Sequence, residues 1–199
     1  MKKSIVLIAG LFFLSPLLLH AQFIKKGTIV GSGSFEFKSH KDDANNKQSN
    51  FGLMPWAGYM VIDNLTAGAG LLVSTSKSES EFSPGTTYTN TGTDILFGPV
   101  VRYYLDNGLF VHGQYFFGSS KNVTKTTGLP DSESKFGKTE LRLGAGYAVR
   151  ITDTVLFEPF LGYLNQGSKD KTSGSTSSKV SENGFFFMGG FTIFLHSVE

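Results

Sequence analysis

From Gly27 onward the chain consists of runs of roughly ten residues in which apolar side chains recur at every second position, the period of a β-strand whose two faces meet different surroundings. Eight such runs stand out: Gly27–Ser39, Phe51–Ile62, Leu65–Lys77, Asp94–Leu105, Leu109–Lys121, Lys138–Ile151, Val155–Gly167 and Gly184–Leu195. None keeps the period of a helix. The connections between them alternate strictly between two kinds. Asp63-Asn64, Asp106-Asn107-Gly108 and Thr152-Asp153-Thr154 are tight turns, made of residues that tolerate turn or left-handed backbone. His40–Asn50, Ser78–Thr93, Asn122–Gly137 and Ser168–Asn183 are long, polar and without apolar period. Three turns, four long loops and both termini on the turn side require an even number of strands, and eight fits.

Short turns on one side and long loops on the other describe a barrel that crosses an outer membrane. The composition agrees: 24 Gly, 19 Phe and only 17% charged residues, with apolar and polar positions averaging to a mean hydropathy near zero. A helical membrane protein would show several apolar runs near 20 residues. The expected fold is therefore all-β, an eight-stranded antiparallel up-and-down transmembrane β-barrel.

A repeat sets which face looks where. Tyr59, Tyr103, Tyr147 and Phe191 are spaced by 44 residues, and Pro55, Pro99, Leu143 and Phe187 keep the same phase. A period of this size marks one supersecondary unit repeated, here strand, turn, strand and long loop. If the four aromatics point to lipid near the turn side, they form one ring of an aromatic girdle. Phe35, Phe37, Phe51, Phe117, Tyr163 and Phe185, near the long-loop ends, would form the other.

The opposite parity then points inward. It holds Glu36, Arg102, His112, Gln114, Glu140, Arg142, Arg150 and Glu158, including every Arg of the chain. Lipid-facing Arg would cost about 2–4 kcal/mol at mid-membrane. Inside, arginine and carboxylate can neutralise one another when paired and hydrogen-bonded. An eight-stranded barrel is just wide enough for side chains to fill it, which favours a structural polar core over a selectivity filter. Pro55, Pro99 and Pro159 fall inside strands, where each removes a ladder hydrogen bond, and are expected to mark bulges. By parity Trp56 faces the lumen, although a bulge at Pro55 would turn it outward.

Residues 1–21 read as a secretory signal peptide: Lys2 and Lys3, an apolar stretch from Ile5 to Leu19, then small Ala21 before a cut ahead of Gln22. Residues 22–199 are the barrel domain. With no Cys there is neither a lipid-modified N-terminal cysteine nor a disulfide framework. Without Lys2 and Lys3, the 18 basic residues fall to 16 and balance the 16 acidic ones, which argues against nucleic acid as a partner.

These features resemble the small outer-membrane β-barrel family, typified by the transmembrane domain of outer membrane protein A and by outer membrane protein X. The resemblance covers the whole chain after residue 21. It rests on the hairpin pattern, on the girdle aromatics, on the charged interior around Arg102, Arg142 and Glu140, and on Pro55-x-x-Gly58-Tyr59 with Asp63-Asn64-Leu65, echoed by Pro99-x-x-Arg102-Tyr103 with Asp106-Asn107. It implies a bacterial outer-membrane location, outer-membrane lipid as surroundings, and assembly by the barrel insertion machinery, for which Phe194 is the last aromatic of the final strand. Nothing remains after the eighth run, so no periplasmic peptidoglycan-binding domain is expected.

Some barrels of this kind modify lipids, so the histidines bear on catalysis. His40 lies near Ser39, Asp42 and Asp43, a set that could support acyl transfer but that any polar loop supplies. His112 reads as a hydrogen-bonded lumen filler, and adjacent His196 and Ser197 would point to opposite faces of a strand. None has metal-ligand spacing, and no cofactor is expected. The leading expectation is a non-enzymatic barrel acting structurally or through its extracellular loops, whose partner is unspecified. A narrow pore is the alternative, and a lipid-directed acyltransferase or deacylase comes third.

Overall fold

The computed structural model describes residues 24–41, 46–83, 86–170 and 179–197. Residues 1–21, expected to be a signal peptide, lie outside them, as do Asp42 and Asp43 and the side chains of His40 and His196. The described chain forms one antiparallel sheet of nine segments: β1 Thr28–Lys41, β2 Lys47–Ile62, β3 Leu65–Ser83, β4 Thr86–Tyr104, β5 Leu109–Thr126, β6 Ser132–Tyr147, β7 Val149–Arg150, β8 Val155–Asp170 and β9 Lys179–Ser197. From β1 to β6 each pairs with the next, β8 pairs with β6, β7 and β9, and β9 pairs with β1. β6 and β7 are one strand interrupted at Ala148, so the wall closes as eight staves.

The break at Ala148 has a cause. Pro159 of β8 lacks an amide hydrogen, and β6–β8 pairing stops at Gly146↔Phe160 before resuming at Val149↔Phe157 in unchanged register. Pro55 and Pro99 do the same. The β2–β3 ladder passes from Leu53↔Val73 to Trp56↔Gly70, and the β4–β5 ladder from Phe97↔Phe117 to Val100↔Gln114, neither with a shift. The expected bulges are absent at these prolines. Each ring points outward and forfeits bonds to one neighbour only, so parity survives and Trp56 stays in the lumen, 8% exposed.

The tight turns form as their residues dictate. Asn64 takes a left-handed φ of 64°, and Gly108 one of 83°. The Thr152 hydroxyl accepts from the Val155 amide at 3.1 Å. Asp63 and Asn64 also hold the entering chain, accepting from the amides of Lys26 (2.7 Å) and Ile24 (3.1 Å).

On the opposite side, strands run far into the stretches expected to be loops. β3 reaches Ser83 with β4 starting at Thr86, and β5 reaches Thr126 with β6 starting at Ser132. Thr, Val and Tyr at Thr86–Thr93 and Val123–Thr126 suit a ladder. Both faces of these hairpins meet water, so no apolar period announces them.

The outer face is apolar all round. Phe35, Phe37, Phe51, Phe97, Phe117, Leu143, Leu161, Tyr163, Phe185 and Phe187 are exposed, and Tyr59, Tyr103 and Phe191 stand out nearer the turns, with Tyr147 half-buried. Inside, the core is more apolar than alternation suggests. Phe110, Phe116, Met60, Leu96, Val100 and Val30 are fully buried there, each side chain contributing roughly 1.5–3 kcal/mol by leaving water. One interface differs from the rest. β1 pairs β9 only from Thr28 to Ser34, and among the described residues no ladder joins Phe35–Lys41 to Lys179–Gly189.

Candidate functional site

The lumen is stoppered by a polar group set among aromatic rings. Arg102 of β4 lies at its centre, 3% exposed, and forms an ion pair with Glu158 of β8, 1% exposed. Its Nη1 also donates to Tyr104 Oη and to Thr192 Oγ1, each at 3.3 Å. Tyr104 donates to Glu158 Oε1 at 2.9 Å, and the Thr192 hydroxyl donates to Glu158 Oε2 at 2.5 Å while lying 2.8 Å from Ser32 Oγ. Both carboxylate oxygens are thus satisfied. That matters because a buried charge is tolerable only when paired and fully hydrogen-bonded.

The chain of donors continues and selects a tautomer. Arg102 Nε donates to His112 Nδ1 at 3.1 Å. Nδ1 is therefore the acceptor nitrogen, the proton resides on Nε2, and Nε2 donates to Gln114 Oε1 at 3.0 Å. The Gln114 amide then donates to Met54 Sδ at 3.1 Å. The guanidinium carbon lies 4.5 Å from the Phe110 ring centroid and 4.8 Å from that of Trp56. Two aromatic rings supply the cation–π attraction that partly replaces lost hydration. Between these side chains remains a void of about 10 Å³, the size of one water.

A second group sits separately. Arg142 Nε donates to Glu140 Oε1 at 2.5 Å, Gln166 donates to Glu140 Oε2 at 2.9 Å, and Phe186 lies 5.4 Å from the Arg142 guanidinium. A third pair, Lys138 with Asp94 at 2.6 Å, lines a cavity of about 390 Å³ together with Ser76, Asn122, Gln166 and Glu182.

Of the eight polar residues expected inside, four meet at the stopper (Arg102, His112, Gln114 and Glu158), and Glu140 with Arg142 form the second group. Glu36 lies beside Gly52 on the neighbouring strand. Arg150 is not in the lumen network. It has inward parity but lies at the end of its stave, a third exposed, and pairs with Asp153 of the adjacent turn at 3.6 Å. Parity gives a direction and says nothing of height, so a residue at a stave's end reaches solvent from either face. Trp56, whose parity faces the lumen, completes the stopper with Tyr104 and Thr192, which the sequence pattern does not single out for it. All three share the parity of Arg102, and that is the one signal the sequence offers. In chemical terms, each acid, base and hydroxyl of the stopper is committed to a partner. Among the described residues no group of three or more His, Asp or Glu is placed to hold a metal.

An antiparallel wall of eight staves, apolar outside and filled inside, is the architecture of small outer-membrane-type β-barrels. No protein-family model matches the sequence, and no characterised protein matches it in sequence. In structure it is similar to Neisserial surface protein A (16% identity, TM-score 0.40, 84% of this chain and 96% of that one). It is also similar to the outer membrane protein OprG from Pseudomonas aeruginosa (14%, 0.38, 88% and 99%) and to a major outer membrane protein from Thermus thermophilus (12%, 0.44, 84% and 99%). The likeness is one of fold.

Proposed function

We propose that this chain is an integral protein of the bacterial outer membrane that performs no catalysis, keeps its lumen shut with the Arg102–Glu158 stopper and acts through the hairpins it raises outside. The stopper carries this reading. Its charges are paired, its hydroxyls are used, and aromatic side chains fill the space around it. The apolar outer face supports the location, since no polar barrel surface would leave so many Phe side chains exposed to water. Outer-membrane lipid and the barrel insertion machinery are the partners this reading entails.

A narrow pore is the second reading, favoured by the polar cavity above the stopper. One measurement tests the location that both readings share, and a second separates them. Heat-modifiable gel migration after extraction from outer membranes is expected, and a chain that stayed soluble without detergent would overturn the location. In planar bilayers the protein is expected to show no steady conductance, whereas reproducible unitary steps would establish the pore.

A further inference from the structure

On the outer face, the ladders set side chains from four neighbouring strands in rows. Ile95, Ser119, Gly137 and Lys169 lie in one row, and Phe97, Phe117, Thr139 and Gly167 in the next. The small residues of β5, β6 and β8 leave a trough of about 970 Å³. Its apolar wall is the pair Phe97 and Phe117, ring centroids 4.4 Å apart, and Lys169 stands on its other side.

One row above, Lys121 and Lys135 face each other directly across the ladder. Like charges so placed repel. Glu133 answers both, at 2.7 Å and 3.4 Å, and the hydrogen bond from Lys121 holds its carboxyl below the usual carboxylate range. Lys169 has no carboxylate partner among the described residues. Two ammonium groups therefore share one carboxylate, and the third has none among the described residues, where the apolar band gives way to the water-facing hairpins.

We propose that this trough binds a lipid with a phosphate-bearing headgroup, one acyl chain lying against Phe97 and Phe117 and the phosphate between Lys121, Lys135 and Lys169. The inference rests on the membrane location proposed above. A neutral lipid would fill the trough but leave Lys169 without a counter-charge and two opposed lysines on a single carboxylate. Free phosphate would meet the lysines but leave the aromatic wall bare.

Native mass spectrometry of the folded full chain released from detergent micelles tests this, with dipalmitoyl phosphatidic acid, dipalmitoylglycerol and inorganic phosphate as probes. Phosphatidic acid is expected to be retained in preference to the diacylglycerol, and inorganic phosphate not at all. Substituting Lys121→Gln, Lys135→Gln and Lys169→Gln should lower retention about fivefold per lysine. Filling the trough with Ser119→Leu and Thr139→Leu should lower retention of both lipids. Equal retention of the two lipids, retention of phosphate alone, or indifference to either set of substitutions would overturn the site. Heat-modifiable migration of the same samples keeps the two readings apart: a barrel that folds in detergent and shows no lipid preference refutes the site alone.

Discussion

Arg102 shows how much one buried charge demands of its surroundings. Its guanidinium takes a carboxylate, a phenol, a hydroxyl, an imidazole and two ring faces from β2, β4, β5, β8 and β9. Removing only Glu158 leaves that cation buried and unpaired. Glu158→Leu is expected to destabilise the barrel by about 3–5 kcal/mol, while the double substitution Arg102→Met, Glu158→Leu should recover most of the loss. Urea unfolding in micelles, followed by tryptophan fluorescence of Trp56 inside the stopper, reads both. If the double variant were as unstable as the single one, the penalty would lie in packing and not in charge. The charged members of this group were legible in the sequence, because Arg and Glu at one parity stand out against lipid-facing neighbours. Tyr104 and Thr192 were not, since a phenol or a hydroxyl is as common on one face as on the other.

Among the elements, staves and turns were legible for the same reason: one face meets lipid, and the turn residues are the ones left-handed backbone requires. Their upward extent was not, because above the membrane both faces of a hairpin are wet and alternation disappears. The aromatic lumen was hidden differently. In β5, Phe110 and Val111 are both apolar, yet one points in and the other out, so apolarity alone cannot assign the face. The space for these rings comes from glycine on the facing strand. Phe110 pairs with Gly146, whose added Cβ would lie 2.5 Å from the Phe110 ring and from Phe160 Cβ. Gly162 likewise stands opposite Phe186. Gly146→Val is therefore expected to cost about 1–3 kcal/mol or to prevent folding. Substituting Gly184, where a Cβ meets nothing within 4 Å, serves as the control. The yield of heat-modifiable protein distinguishes them, and equal yields would contradict this account of the core.

At the scale of the whole molecule, closure is uneven. Most ladders run nearly the length of their strands, but β1 and β9 hold each other only between Thr28–Ser34 and Gly190–Ser197, beside the turns. Phe185 and Phe187, at 84% and 74% the most exposed large hydrophobic side chains among the described residues, flank the part left unzipped, together with Phe35 and Phe37. Amide exchange in bilayers should accordingly be fastest, within the apolar band, for the seam-facing amides of Phe35–Ser39. Protection there equal to that of Phe97–Val101 would mean that the ladder extends upward.

The consequence is mechanical. A closed hydrogen-bonded cylinder resists squeezing equally from every side, but one clasped along half of a single line does not. Lateral pressure from the bilayer, or a pull on any outer hairpin, is relieved first along that line. The wall has a grain: the Arg102–Glu158 stopper ties β4 to β8 and, through Thr192 and Ser32, β9 to β1 beside the clasped half of that line, while among the described residues no ladder holds its outer half.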